Sequence, residues 1–281
     1  MYTIQNLSFS YHKRRPLLQG VSLQPEAGQV VGLLGKNGTG KSSLLRLMAG
    51  LLCPKQGTLQ FGGEDVFDRN PEILAQLFFL PEEFDFPKGL KVADYFRALA
   101  VFYPAFDWAA FERYAQEFEV ETHRQFGSLS FGQRKKSLIA FALASNCKVI
   151  LMDEPTNGLD IPAKATFRKL VAGAMRDEQL MVISTHQVRD LEKLIDHLWI
   201  IDQGQLKLDA SVADLEEQFE FTFASSLPAD AIYHEAQLGT NFYIAPRVPG
   251  KTPTSVNLEL LFNATILGKL SYSSTANLQN L

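Results

Sequence analysis

With 281 residues, 46% hydrophobic and 21% charged, the chain is long enough for one large core with an appendage, or for two domains. Its net charge of −4 is unevenly spread: residues 1–204 balance at 23 Lys+Arg against 23 Asp+Glu, while residues 205–281 carry 4 against 8. No basic stripe offers itself to nucleic acid, no apolar run approaches the ~18 residues that span a bilayer, and Cys53 and Cys147 form neither a disulfide framework nor a metal-ligand spacing.

The opening YTIQNLSFSY alternates with period two and predicts a strand. The two isolated cysteines fit a reducing compartment, and MYTIQNLSF lacks the charged-then-apolar design of a signal peptide. Lys13, Arg14 and Arg15, followed by Pro16, read as a solvated hairpin loop. A turn at Pro25 to Gly28 leads into VVGLL, which predicts a buried strand, and KSSLLRLMAGLL predicts a helix. GTLQFGG and QLFFL predict further strands. From Lys91 to Phe118 the pattern is helical, broken at Tyr103-Pro104 and rich in aromatics. SLSFGQRKKSLIAFALAS predicts a helix capped by Ser130, with Gln133 three residues later. KVILMD, QLMVIST and HLWIID are short apolar runs separated by helical stretches, the pattern of parallel strands with crossovers. After Gly204 the texture changes: FEFTF and NFYIA predict strands, PRVPGKTPTS a polar loop, NLELLFNATI a closing helix and SYSSTANLQNL a frayed end.

Two segments offer backbone N–H groups to an anion. GKNGTGKS, Gly35 to Ser42, matches G-x-x-x-x-G-K-S/T between a buried strand and a helix. Gly35, Gly38 and Gly40 let the backbone curl around a β-phosphate, Lys41 reaches the β- and γ-phosphates, and Ser42 offers its hydroxyl to Mg²⁺. Asn37, Thr39 and Ser43 complete the expected nucleotide contacts. Asp153, ending the run VILMD, is placed to hold Mg²⁺, and Glu154 beside it to orient and deprotonate a water. The second segment is LSFGQ, where Ser130, Gly132 and Gln133 stand at a helix N-terminus.

GKNGTGKS, LSFGQ and ILMDEPTNGLD together resemble the nucleotide-binding domain of ABC ATPases, in the family's order and spacing over roughly residues 2–206. The resemblance implies an α/β fold: a P-loop NTPase with a RecA-like core sheet, an antiparallel β subdomain, and a helical subdomain at about residues 83–145 carrying LSFGQ. Residues 1–206 would be the nucleotide-binding domain and residues 207–281 a small C-terminal α+β module. In this family two cassettes pair head to tail, as a homodimer or with a second cassette, so that Ser130 and Gly132 of one chain meet the ATP held by Gly35–Ser42 of the other. Tyr11 matches the aromatic that stacks on adenine, Asn157 to Asp160 the segment that runs across the interface, and His186 the switch histidine that contacts the γ-phosphate. The implied cofactors are ATP and Mg²⁺. The implied partner is a separate transmembrane permease subunit at the cytoplasmic face of the membrane, with no nucleic acid.

Two positions depart from the family pattern. Phe131 stands where many members have glycine. In FFLPEEFDFP, Glu82 stands where the family usually places a glutamine near Mg²⁺. Similar LPEE segments occur in the branch that pairs with exporter-type membrane proteins, so Glu82 is expected on the Mg²⁺ side or in coupling. Phe84 and Phe86 are then the first candidates for a groove receiving the membrane partner. The expected function is ATP hydrolysis driving export. The alternatives are an importer ATPase and a soluble ABC ATPase acting on a macromolecular complex; a single P-loop and only about ninety residues, without heptads, between the motifs weigh against the latter.

Overall fold

The computed structural model describes residues 2–12, 15–188, 191–237, 239–270 and 272. Lys13 and Arg14, and nearly all of SYSSTANLQNL, lie outside the described residues. The strands are β1 (Tyr2–Phe9), β2 (Leu18–Leu23), β3 (Gln29–Leu34), β4 (Gln56–Phe61), β5 (Glu64–Asp65), β6 (Leu77–Leu80), β7 (Val149–Asp153), β8 (Leu180–Thr185), β9 (His197–Asp202), β10 (Gln205–Ser211), β11 (Phe219–Ala224), β12 (Tyr233–Gln237) and β13 (Thr240–Pro246). The helices are α1 (Lys41–Met48), α2 (Pro71–Leu74), α3 (Val92–Ala100), α4 (Trp108–Glu117), α5 (Phe131–Ala144), α6 (Ile161–Ala174), α7 (Val212–Gln218) and α8 (Leu258–Ile266).

A six-stranded sheet in the order β10-β9-β3-β8-β7-β6 runs through the centre, parallel except for the β9–β10 hairpin. Side chains alternate across a strand, and here the alternation divides the interior in two. Val31, Leu33, Leu151, Val182 and Trp199 pack with α1 and the antiparallel sheet β2-β1-β4-β5. Val30, Leu34, Ile150, Met152, Ile183 and Ile200 pack with α3 to α6 on the other face. The parallel strands are apolar through their middles because both faces are covered, with polar residues at their ends.

The helical layer is held by aromatic rings. Phe141 lies against Phe96 at 4.7 Å and 20°, and Phe86 lies against Phe126 at 4.0 Å and 9°. Phe86 is therefore a core residue, 6% exposed, and not a wall of an open groove. Among the described residues the large apolar side chains exposed on this subdomain are Leu90, Phe131 and a group of three, Val101, Phe102 and Trp108, between α3 and the start of α4.

Beyond β9 the chain continues in the central sheet as β10, then forms the three-stranded antiparallel sheet β11-β13-β12. Helix α8, capped by Asn257, buries Leu258, Leu260, Leu261 and Ala264 in the same apolar cluster as the helical layer.

The topology delivers chemistry to one edge. Leu34 pairs with Thr185 and Asp153 with Ser184, so the carboxyl ends of β3, β8 and β7 lie side by side. Ligands of open α/β sheets bind at such ends.

Candidate nucleotide site

The loop after β3 is shaped by close approach. A Cβ at Gly35 would lie 2.6 Å from the Ile201 carbonyl oxygen, and Gly40 enters α1 at φ +108°, a left-handed conformation that glycine adopts without penalty. No side chain caps the start of α1, so its first N–H groups remain available to an anion. Lys41 folds back over the loop and donates to the carbonyls of Gly35 at 2.8 Å and Lys36 at 3.3 Å. Its Nζ lies 3.8 Å from Glu154 Oε1. Burial pushes the Lys41 pKa down, against the pull of Glu154, Asp153 and Glu82.

A cleft of about 430 Å³ opens here, lined by Tyr11, Leu17, Asn37, Gly38, Gly40, Lys41, Ser42, Ser43, Glu82 and Glu154. Tyr11 is 55% exposed, stands edge-on to Phe9, and its hydroxyl lies 3.1 Å from Ser43 Oγ. Thr39 is turned away, donating its hydroxyl to the Lys36 carbonyl.

At the end of β7, Asp153 is buried and accepts from Ser184 Oγ at 2.6 Å. Glu154 adopts φ +47°, which costs an L side chain about 1–2 kcal/mol. Its N–H donates to Ser184 Oγ at 3.1 Å and to the Ser184 carbonyl at 3.2 Å, so β8 fixes that turn. Glu154 Oε1 lies 2.9 Å from His186 Nδ1. Its other oxygen, Oε2, is buried with no hydrogen-bond partner among the described residues, an acceptor left open beside the P-loop. Such a group is costly unless a ligand or water meets it.

Glu82 is not a solvated acid. Its Oε1 accepts from Asn157 Nδ2 at 2.8 Å, Asn157 Oδ1 accepts from Gln187 at 3.3 Å, and Gln187 Oε1 accepts from Lys164 at 2.9 Å. This polar chain joins the loop after β6 to the NGLD segment and the loop after β8.

Ser130 caps α5 in a reciprocal box: Gln133 N–H donates to Ser130 Oγ at 3.2 Å, and Ser130 N–H to Gln133 Oε1 at 3.1 Å. Ser130 is exposed and Gly132 and Gln133 are half-buried, yet none of the three lines the cleft around Lys41. Gly132 approaches the NGLD segment closely, since a Cβ there would lie 3.2 Å from the Gly158 carbonyl oxygen. Phe131 stacks on Phe84 at 5.4 Å and 15°. Asp160 accepts from Ala163 N–H at 2.9 Å as the cap of α6, also outside the cleft.

A second cavity of about 650 Å³ lies between the start of the P-loop (Gly35, Lys36, Asn37), the His186 loop, and Phe262 and Asn263 of α8. Ser184 and Lys135 escaped the sequence reading of the site. Ser184 signals itself as a polar residue inside an otherwise apolar buried strand. Lys135 signals itself by sharing a helical face with Leu138, Ile139 and Ala142.

A family model described as ABC transporter matches residues 18–157. The chain is 30% identical over 234 residues to the petrobactin import ATP-binding protein FpuC of Bacillus anthracis, covering 78% of this chain and 85% of that one. It is equally 30% identical over 205 residues to Nod factor export ATP-binding protein I of Cupriavidus pinatubonensis, covering 71% and 63%. Among solved structures, the fold matches a dimeric, post-hydrolysis state of an ATP-binding cassette bound to ADP and Pi, with TM-score 0.64, 21% identity, and coverage of 75% of this chain and 98% of that one.

Proposed function

The chain belongs to the ATP-binding proteins of ABC transporters, and on that premise we propose that it drives export by closing head to tail with a second cassette around ATP, beneath a separate transmembrane subunit. The observation that carries the pairing is the separation of two anion sites. Ser130, Gly132 and Gln133 do not line the chain's own nucleotide cleft, and the donors that the capping box leaves over, the Ser130 hydroxyl and the Gly132 N–H, are available to a nucleotide held by another copy. A homodimer fits this as well as a pair of related cassettes.

Within the cleft, the loop N–H groups and Lys41 take the β- and γ-phosphates, and Tyr11 meets the base. Glu154 Oε2 accepts the proton of the attacking water, and His186 holds Glu154 through its other oxygen. Ser42 and Asp153, with Glu82 alongside, are hard oxygen donors of the kind Mg²⁺ takes. Among the described residues no cage of three or more His, Cys, Asp and Glu forms, which fits an ion that arrives with the nucleotide and needs only one or two protein ligands. When bound, Mg²⁺ supplies charge neutralisation at the phosphate oxygens.

Export rests on the LPEE segment at Glu82 and its resemblance to the exporter-type branch, since relatives named for import and for export are equally similar. We assign the nucleotide-binding domain to residues 1–206 and an accessory role to residues 207–281. The separate three-stranded sheet β11-β13-β12 supports an accessory module, while β10, Gln205–Ser211, goes with the central sheet. Among the described residues no helix is long and apolar enough to cross a membrane, and peripheral attachment at the cytoplasmic face is part of the proposal.

The test is size-exclusion chromatography with light scattering on Glu154→Gln, with and without Mg-ATP. The expected result is an ATP-dependent shift from monomer to dimer with hydrolysis blocked. Rapid turnover by this variant removes Glu154 as the base, and a persistent monomer removes pairing by the cassettes alone.

A further inference from the structure

The side chain of Lys135 is wholly buried, although it lies on α5, four residues from the exposed Phe131. Its Nζ donates to the carbonyl of Glu154 at 3.0 Å and to the carbonyl of Asn157 at 3.0 Å. It also lies 5.3 Å from the centroid of the Phe131 ring. An ammonium is expensive to remove from water, and an apolar residue of the same length would fill that place at lower cost. Leu138, Ile139 and Ala142 on the same helical face do just that.

What the charge achieves is local. Residues 154–157 form a tight turn in which Asn157 N–H also donates to the Glu154 carbonyl. Glu154 holds its left-handed backbone between two anchors: Ser184 on its N–H side and Lys135 on its C=O side. A strained conformation persists only where its surroundings over-determine it. Burial pushes the Lys135 pKa down, against the pull of Glu82, Glu154 and Asp153.

We infer that Lys135 is a positioning residue for hydrolysis: it ties the backbone of Glu154 and Asn157 to the helix that begins with LSFGQ, and so makes the aim of Glu154 follow the position of that helix. The inference rests on the proposed reading of Glu154 as the base. Through Lys135, a helix engaged by a second copy's nucleotide acts on the water-activating carboxylate of its own chain.

The experiment uses the full chain, with Lys135→Met, Lys135→Gln and Glu154→Gln compared in steady-state ATPase assays and in titrations with a fluorescent ATP analogue. Lys135→Met keeps the length and removes the donor; kcat is expected to fall by about ten-fold or more, with KM and analogue affinity within about two-fold of the parent. Lys135→Gln returns an amide donor to the same carbonyls and recovers part of the loss. A kcat for Lys135→Met within about two-fold of the parent overturns the inference. So does a joint fall of kcat, affinity and melting temperature that Lys135→Gln fails to relieve, since that is the mark of a purely structural lysine. If Lys135→Met does not fold, the kcat-against-KM split of Lys135→Gln decides in the same way. Failure of the underlying reading looks different: Glu154→Gln would turn over at the parent rate.

Discussion

Single residues of this chain behave according to where the fold leaves them relative to water. Cys53 and Cys147 show the contrast most simply. Cys53 is exposed, whereas Cys147 is buried ahead of β7 and burial pushes its thiol up to about 12. The thiolate is the reactive form, so native protein treated with iodoacetamide at pH 8 is expected to take one label, at Cys53, and a second only in denaturant. Rapid double labelling of the native chain would mean that the segment before β7 opens readily. The same logic separates what was legible in the sequence from what was not. Lys41, Asp153 and Glu154 were legible because fixed spacings set them at strand ends. Ser184 was hidden because its partner, Asp153, comes from a different strand, and no local pattern records which strands are neighbours.

Among elements, alternation predicted β1 and β11, apolar runs predicted β3 and β7 to β9, further strands were expected at β4, β6 and β13, and helical stretches predicted α1, α3 to α6 and α8. Elements that took their shape from neighbours were missed. Strand β2 exists because β1 pairs with it in antiparallel register, and β10 because β9 offers it an edge. Strand β12, with the pattern YHEAQ, has little apolar periodicity and is held by β13. Helix α5 carries the heaviest packing duty of the helical layer, since Phe141 meets rings from Phe78, Phe96 and Phe106. Phe141→Ala is expected to destabilise by about 3–5 kcal/mol, through lost burial and an unfilled cavity. Urea unfolding checks it: the midpoint should fall while the slope stays unchanged. An altered slope would instead point to a change in what unfolds.

For the whole molecule, the two apolar layers on either side of the six-stranded sheet hold the P-loop, the Glu154 turn and the His186 loop at one edge. The family and the α/β cassette fold were therefore accessible from three motifs, two of which sit where a strand of that sheet ends and the third, LSFGQ, where helix α5 begins. The position of α8 was not accessible. It depends on how the acidic tail returns to the central core, where Leu258, Leu260 and Leu261 join side chains from α5 and β9. A chain cut at residue 206 would lose most of β10 and bare the edge of β9, so any test of the C-terminal module by deletion has to begin after Ser211.

The distance of LSFGQ from the chain's own nucleotide cleft carries a genetic consequence. Under the proposed pairing, a defect in one half of the site is not private to the molecule that bears it. Lys41→Ala spoils the cradle but leaves LSFGQ whole, while Ser130→Glu sets a carboxylate against the phosphate and leaves the cradle whole. Each variant alone should be silent in an ATPase assay. Mixed in equal amounts, they would form hybrids in which one of the two composite sites is native in both halves, returning about a quarter of all sites to working order. Two broken copies would restore each other. A mixture that stays silent would mean that each chain completes its site alone.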